Sequence, residues 1–203
     1  MKPLYADLHI HTVYSSDSLI QPKTLVDKLA AHNFIKVAAV TDHDSVRGCK
    51  ATVELATAYP DILIIPGVEI STPHGDMLVL GTEELPPKPW TPEAVVDYAK
   101  SIDGVSIVAH PYREYGMGDL ARNYKVDAIE VLNGGSRAAM NIEAGELAKS
   151  MNLPGTAGSD AHQLSELFSV CSKIDASLNV TAVLRAIKKG SVSAQAARGS
   201  IRF

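Results

Sequence analysis

Strand-length apolar runs along this chain end in histidine and acidic residues, and this pattern constrains both the fold and the chemistry. Six of the seven histidines lie in short motifs, most of them directly after such a run. The motifs are Asp7-Leu8-His9-Ile10-His11, Thr41-Asp42-His43-Asp44, Gly67-Val68-Glu69 with His74 shortly after it, Ala109-His110-Pro111, and Ser159-Asp160-Ala161-His162. The carboxyl ends of parallel strands meet at one edge of a sheet. If the runs are parallel strands, the sequence therefore predicts that these side chains gather in one place.

Strands and helices alternate along the predicted chain. The predicted strands are Leu4–His9, Lys36–Val40, Ile62–Ile65, Met77–Leu80, Val105–Ala109, Ala128–Leu132 and Gly155–Ala157. The predicted helices are Pro22–His32, Val46–Ala58, Thr91–Ile102, Arg137–Met151 and Thr181–Lys189. Several runs are continuously apolar, which is typical of strands buried on both faces of a parallel sheet. The order predicts an α/β fold with right-handed crossovers, in which about seven strands form a closed or nearly closed barrel.

Composition limits the classes of partner. The 203 residues are 46% hydrophobic and carry a net charge of −4, so we expect one domain over residues 1–203 and no long nucleic acid as a partner. The N-terminus lacks the apolar segment of a signal peptide, and no apolar stretch approaches the roughly 18 residues of a membrane helix. We therefore expect a cytoplasmic protein without a membrane partner. The oligomeric state is open, and Ser191–Phe203 is compatible with an edge strand or an oligomer contact.

The motifs have the residue types and the spacing of a polynuclear metal site. Imidazole and carboxylate groups are ligands that zinc, manganese and iron accept. Side chains at i and i+2 of a strand point to the same side, so His9 and His11 can reach one ion, and Asp160 and His162 repeat this spacing. A carboxylate deep at a strand end is costly unless it is paired, and Glu69 would be satisfied by bridging two cations.

Further candidates have less specific signals, and two interpretations are open for most of them. Asp17 is a metal ligand or an ordinary loop carboxylate, and His74 is a ligand, a substrate contact or a surface residue. Asp42 is a candidate for orienting a ligating imidazole. Asn133 positions substrate or water, or stabilises a turn. Arg113 and Arg137 bind phosphate by bidentate contacts, or are solvated at the surface.

The ordered motifs resemble those of the PHP family, named for polymerase and histidinol phosphatase. The resemblance spans residues 4 to about 165 and implies a distorted seven-stranded (β/α) barrel, similar to a TIM barrel, with two or three divalent ions of Zn, Mn or Fe. It implies that His9, His11, Glu69 and Asp160 hold a first metal, and that Glu69 bridges to a second metal bound by His110. It also implies that Asp17, His43 and His162 hold a third.

One position departs from the family pattern. Many members carry a further second-metal histidine in a His-apolar-Leu-Gly motif, where this chain has Leu78-Val79-Leu80-Gly81. Three alternatives follow: His74 substitutes from the neighbouring turn, water fills the position, or the second site is weak.

The resemblance implies metal-dependent hydrolysis of phosphoesters by a metal-activated water. We expect Glu69, Asp160, His43 and His162 to take part in catalysis, with His11, His43 or His162 protonating the leaving alkoxide. A small phosphomonoester, such as a nucleotide or a sugar or amino-alcohol phosphate, is the first choice of substrate. The alternatives are a 3′-5′ exonuclease of short oligonucleotides, a non-catalytic metal-binding module, and an amide hydrolase.

Overall fold

The computed structural model describes residues 2–196, in which nine strands form one sheet. The strands are Leu4–Ile10 (β1), Ile35–Val40 (β2), Leu63–Thr72 (β3), Gly75–Leu80 (β4), Val105–Val108 (β5), Ala128–Asn133 (β6), Gly155–Gly158 (β7), Val170–Ile174 (β8) and Val192–Ala196 (β9). The α-helices are Pro22–Ala31 (α1), Arg47–Ala56 (α2), Pro92–Ser101 (α3), Ala138–Met151 (α4) and Val180–Lys188 (α5), and Gly118–Asn123 forms a 3-10 helix. All five predicted helices and all seven predicted strands are present with small shifts of their ends, except that the strand predicted over Ile62–Ile65 continues to Thr72.

The predicted number of strands was wrong, because β8 and β9 were not expected. Their sequences, Val170-Cys171-Ser172-Lys173-Ile174 and Val192-Ser193-Ala194-Gln195-Ala196, are short and rich in small and polar residues. β9 lies at the edge of the sheet and is only partly buried, so it needs no strong apolar pattern. The edge strand considered for Ser191–Phe203 is thus present as β9, and residues 197–203 lie outside the described part of the chain.

The sheet is mixed rather than parallel throughout, because β4 runs against both of its neighbours. The strand order is β7-β6-β5-β4-β3-β2-β1-β8-β9, and β8 is antiparallel to β1 and β9. Only Pro73 and His74 connect β3 to β4, and a two-residue connection joins antiparallel strands, whereas a parallel crossover needs about a dozen residues. Because β4 is reversed, its first residues lie at the same end of the barrel as the carboxyl ends of its neighbours.

The end of β7 lies beside the end of β1, so two strands that are far apart in the order of the sheet come together. The backbone N–H of Asp160 donates to the carbonyl of His9 at 2.8 Å, and that of His11 donates to the carbonyl of Ala161 at 3.1 Å. The buried carboxylate of Asp7 accepts the backbone N–H of Ser159 at 2.8 Å. These bonds nearly close the barrel and hold residues 159–161 against the first strand.

Apolar side chains fill one end of the barrel and leave the other end to polar groups. The interior cluster includes Leu8, Val37, Ile65, Leu78 and Ile107, and α5 covers it with Val183, Leu184 and Ile187. Two further clusters lie under the outer helices. The carboxyl ends of the parallel strands are therefore the open face of the barrel.

Neither α4, which has 14 residues, nor the shorter described helices have the length and hydropathy of a membrane span.

We expect Gly48→Ala to destabilise the fold. A Cβ at this position in α2 would lie 1.8 Å from Oδ2 of Asp42 and 2.3 Å from Oγ1 of Thr12, two groups that hydrogen-bond each other. Overpacking of this kind costs about 1–3 kcal/mol. The measurement is the free energy of unfolding in urea. The matched control is Gly145→Ala in α4, where no atom lies within 4 Å of the added Cβ and a gain of about 0.5–1 kcal/mol is expected. Equal stability of the two variants would contradict the packing described for Gly48.

Candidate metal centre

Histidine and carboxylate side chains from six parts of the chain converge at the open end of the barrel. Three groups of donor atoms form there, each with its atoms within 4.8 Å of one another. The groups are His9, His11, Glu69 and Asp160; Glu69, Asp76 and His110; and His11, His43 and His162. The structure therefore brings together His9, His11, His43, Glu69, His110, Asp160 and His162, as the sequence predicts, and adds Asp76.

The first group is buried beneath the other two. Nε2 of His9 lies 3.0 Å from Nε2 of His11 and 3.0 Å from Oε2 of Glu69. Oδ1 of Asp160 lies 3.1 Å from Nε2 of His11. Strand alternation turns both imidazoles inward, and the contact of β1 with residues 159–161 brings the carboxylate to them. Two nitrogens and two carboxylate oxygens thus face one point.

The second group shares Glu69 with the first. Oε1 of Glu69 lies 3.0 Å from Nε2 of His110, while Oε2 faces His9 and His11. Asp76, at the start of β4, is the third member, and sequence reasoning missed it. The available signal was strand alternation, because Asp76 precedes Leu78 by two residues and so shares its side of β4.

The third group lies at the mouth of the barrel and is partly exposed. His11 joins His43 and His162 here. Oδ2 of Asp17 lies 3.1 Å from Nε2 of His162 and 3.7 Å from Nε2 of His43. Asp17 therefore approaches this group from the loop after β1, as the sequence predicts.

Opposite charges shift the pKa values of the buried members. Burial would lower the pKa of His9 and His11, but the nearby carboxylates outweigh it and raise the pKa of His9 well above its usual value and that of His11 to about 9. Burial would raise the pKa of Glu69 and Asp160, but the imidazoles outweigh it and hold both pKa values well below the usual range. Burial, and then the charge of Glu69, raises the pKa of Asp76 to about 6.

Glu130 supports the first two groups from β6, and the sequence analysis did not single it out. Its Oε1 lies 3.0 Å from Nδ1 of His9, and its Oε2 accepts the backbone N–H of His110 at 2.9 Å. A carboxylate on Nδ1 fixes the orientation of an imidazole whose Nε2 binds a metal. The signal in the sequence was an acidic residue within the apolar run Ala128-Ile129-Glu130-Val131-Leu132.

The predicted substrate-binding residues lie in different surroundings. The guanidinium of Arg113 forms an ion pair with Oδ2 of Asp160 at the edge of the first group. Asn133 is buried, and its amide donates to Glu130 at 3.0 Å and to Asp160 at 3.2 Å, so its N–H groups hold the carboxylates in place. Arg137 is exposed at the N-terminus of α4 and is not among the residues that line the cavity described below.

The remaining candidates have contacts outside the three groups. His74 is exposed at the cavity wall, and its Nδ1 hydrogen-bonds the hydroxyl of Tyr124. Asp42 accepts the backbone N–H of Thr12 at 2.5 Å and its hydroxyl at 2.8 Å. Asp42 therefore fixes the loop after β1, and the structure gives it no hydrogen bond to an imidazole among the described residues.

The donor set fits divalent cations. Nδ1 of His43 and Nδ1 of His110 are buried and have no hydrogen-bond partner in the described part of the chain. Such nitrogens are costly unless they bind something. The buried carboxylates of Glu69, Asp76 and Asp160 add negative charge that only imidazoles and Arg113 offset. Imidazole and carboxylate donors of this kind suit Zn, Mn or Fe.

An open cavity of about 650 Å³ leads to the groups from solvent. Its wall includes Asp17, His43, His110, Arg113 and Tyr115. A second lobe of about 520 Å³ lies beside Gly134 and Gly135 and shares Arg113, Asp160 and His162 with the first. Both volumes are in the range of small-molecule sites.

Comparison with known sequences connects this geometry to a family. The family described as PHP domain matches residues 7–115, and the one described as PHP-associated matches residues 139–192. An uncharacterized protein of Methanocaldococcus jannaschii is 34% identical over 140 residues, which are 63% of this chain and 81% of that protein. The 5′-3′ exoribonuclease Rnm of Salmonella typhimurium is 42% identical over 67 residues, which are 32% of this chain and 22% of that protein.

Solved structures share the fold at low sequence identity. PsfC from Pseudomonas syringae has a TM-score of 0.70 at 19% identity, with 98% of this chain and 94% of that chain covered. An amidohydrolase from Chromobacterium violaceum, solved with bound sulfate, has a TM-score of 0.66 at 18% identity over 79% and 88% of the two chains. A putative metal-dependent phosphoesterase from Bifidobacterium adolescentis has a TM-score of 0.62 at 17% identity over 77% and 87%.

We expect Glu130→Gln to weaken the binding of a divalent cation. The amide keeps the size of the side chain but removes the charge that holds Nδ1 of His9. Loss of such a supporting carboxylate typically costs about 10–100-fold in metal affinity. Competition with a chromophoric chelator measures the affinity. Glu143→Gln, on the exposed face of α4, is the control and should bind as wild type does. Equal affinities of the two variants would show that Glu130 does not support metal binding.

We also expect cation binding to release protons. The raised pKa values keep His9 and His11 protonated at pH 7, and only a neutral imidazole binds a metal. Protons therefore leave on binding, and the apparent affinity should rise with pH through the pKa of His11, which is about 9. Calorimetric titrations in buffers of different ionisation enthalpy count the protons. Binding without proton release at pH 7 would contradict the charge state assigned to these histidines.

Proposed function

This chain belongs to the PHP family, and we propose that it is a metal-dependent phosphoesterase that hydrolyses a small phosphomonoester, such as a nucleotide or a sugar or amino-alcohol phosphate. The observation that carries the proposal is the convergence of three donor groups on Glu69 and His11, at the end of a cavity that Arg113 borders. Pairs of divalent ions with a cationic side chain beside them are typical of phosphoryl-transfer sites.

We assign the metal ligands from the donor groups. His9, His11, Glu69 and Asp160 would hold one cation, Glu69 and His110 a second, and Asp17, His43 and His162 a third. When bound, such cations supply Lewis-acid stabilisation of the phosphoryl oxygens and lower the pKa of water. Zn, Mn and Fe are each compatible with the donor types.

The two buried carboxylates set the geometry of the reaction. Glu69 directs one oxygen to His9 and His11 and the other to His110, which fixes the separation of the first two groups. Asp160 directs Oδ1 to His11 and Oδ2 to Arg113. Arg113 is therefore held where its guanidinium can bind phosphoryl oxygens in a bidentate manner while the ester bond lies over the first group.

Two histidines at the mouth are suited to different roles. Burial lowers the pKa of His43, which keeps its imidazole neutral and available as a ligand. Nδ1 of His162 lies 2.9 Å from the carbonyl oxygen of Asp160, so this nitrogen carries a proton and Nε2 faces Asp17 and the cavity. His162 would therefore bind the third cation through Nε2 or, where that position holds no cation, transfer a proton from Nε2 to the leaving alkoxide as the bond from phosphorus to oxygen breaks.

The cavity and the charge of the chain support a small substrate. A volume of about 650 Å³ accommodates a nucleotide or a sugar phosphate. The net charge is −4, whereas binding of long nucleic acids needs many phosphate contacts from Lys and Arg. Arg113 is the cationic side chain among the residues that line the larger lobe.

A second candidate is exonucleolytic cleavage of short oligonucleotides. The second lobe continues the cavity past Arg113, Asp160 and His162, which leaves room for a group on each side of a scissile phosphodiester. The relative Rnm is named a 5′-3′ exoribonuclease, opposite in direction to the 3′-5′ exonuclease that was one of the alternatives from the sequence. Oligonucleotides labelled at either end therefore belong in the assay.

We expect Asp160→Ala to reduce phosphoester hydrolysis by about 10³-fold or more, because a metal site contributes several kcal/mol to transition-state stabilisation. The protein is reconstituted with Mn or Zn and assayed on nucleoside monophosphates and bisphosphates, histidinol phosphate, sugar phosphates and labelled oligonucleotides. Release of inorganic phosphate identifies a phosphomonoesterase, and release of nucleoside monophosphates identifies an exonuclease.

The control for this assay is Asp97→Ala, which removes an exposed carboxylate from α3 and should keep full activity. Full activity of Asp160→Ala would refute the assignment of the site. A metal-loaded wild-type protein that cleaves none of the panel would favour a non-catalytic metal-binding module.

A further inference from the structure

Asp76 has a buried carboxylate that the mechanism above does not use. It is 6% exposed and lies in the second donor group with Glu69 and His110. Its side-chain oxygens accept no hydrogen bond and form no ion pair within residues 2–196. Asp76 also lines the open cavity, so its carboxylate is free to bind a cation that enters from solvent.

The register between β3 and β4 explains why Asp76 faces the site. Glu69 pairs with Leu78, and Ser71 pairs with Asp76. Directly opposed residues point to the same face, and so do alternate residues of one strand. Asp76 and Leu78 therefore both face the barrel interior with Glu69. Because β4 is reversed, Asp76 lies nearer the open end than Leu78, which packs in the apolar cluster below.

The backbone of Asp76 is fixed on both sides. Its N–H donates to the carbonyl of Tyr115 at 2.9 Å, and its carbonyl accepts the N–H of Ala109 at 3.1 Å. The second bond ties β4 to the residue directly before His110. The carboxylate and the imidazole are thus held in place by the same pair of strands, as a preorganised ligand pair requires.

We propose that Asp76 completes the second cation site with Glu69 and His110, and that the two carboxylates make this site more favourable to Mn²⁺ than the imidazole-rich third site. The proposal rests on the metal centre in the proposed function. The family pattern has a histidine where this chain has Leu78. Asp76, two residues earlier on the same strand face, supplies the donor instead, so neither His74 nor a water molecule is needed at this position.

The donor types of the three groups support this preference. The second group offers two carboxylates and one imidazole, whereas the third offers three imidazoles, with Asp17 nearby. Carboxylate oxygens suit Mn²⁺ and Mg²⁺, and imidazole nitrogens favour Zn²⁺. Mn²⁺ should therefore bind the second site more readily than the third.

The test counts bound metal and needs no substrate. Wild type, Asp76→Asn and Asp76→His are dialysed separately against Mn²⁺ alone and against Zn²⁺ alone, because Zn²⁺ outcompetes Mn²⁺ at equal free concentrations. Elemental analysis then gives the equivalents retained per chain. Asp76→Asn should retain one equivalent of Mn²⁺ fewer than wild type, with affinity reduced by more than about 100-fold, since loss of an outer-shell partner alone costs about 10–100-fold. Asp76→His should match wild type in Zn²⁺ but not in Mn²⁺.

Several results would overturn the proposal. Folded Asp76→Asn that retains as much Mn²⁺ as wild type would show that Asp76 is not a ligand, with folding checked by thermal unfolding. Equal loss of Mn²⁺ and Zn²⁺ in Asp76→His would show that this position does not set the preference between the two metals. Asp97→Asn makes the same chemical change at an exposed site on α3 and should match wild type.

Failure of this inference is distinguishable from failure of the proposed function. If the protein binds Mn²⁺ through Asp76 but cleaves no phosphoester, the metal site stands and the proposed function fails. If the protein is a phosphoesterase but Asp76→Asn leaves its metal content unchanged, the proposed function stands and Asp76 is not a ligand.

Discussion

The buried carboxylate of Glu69 is the interaction on which the rest of the site depends. Its two oxygens face different imidazoles, so one side chain on β3 joins the histidines of β1 to the histidine that follows β5. A charge at this depth is stable only with opposite charge around it. The barrel supplies that charge from strands on both sides of β3, and this requirement explains why the polar groups converge at a single point.

The sequence predicted the parts of the fold and site that depend on local pattern. Continuous apolar runs indicated seven of the strands, and the residues that follow those strands indicated His9, His11, His43, His110, Asp160 and His162. This was possible because residues at the carboxyl ends of neighbouring barrel strands lie together on one face of the barrel. The resemblance to a family then grouped these residues into separate ligand sets.

The missed features depend on pairing between strands, which a single sequence does not encode locally. The reversal of β4 follows from a two-residue connection, and it carries Asp76 to the open end of the barrel. Glu130 was hidden because a charged residue in an apolar run is usually read as facing solvent, whereas here His9 and the backbone of His110 pair with it. β9 lacks an apolar period because it is only partly buried at the edge of the sheet, and β8 is mostly buried but has Cys171, Ser172 and Lys173 between its apolar residues.

The contact of residues 159–161 with β1 has a consequence for how the site forms. The hydrogen bond from Asp160 to His9 joins residues 151 positions apart in the chain, so the first donor group exists only after most of the chain has folded. The segment that matches the PHP domain ends at residue 115 and lacks Asp160 and His162, which lie in the segment matched as PHP-associated. The first and third donor groups therefore need both segments, whereas Glu69, Asp76 and His110 all lie in the first segment. Any cation held between them therefore acts as a thermodynamic clamp, adding its binding free energy to the stability of both segments together.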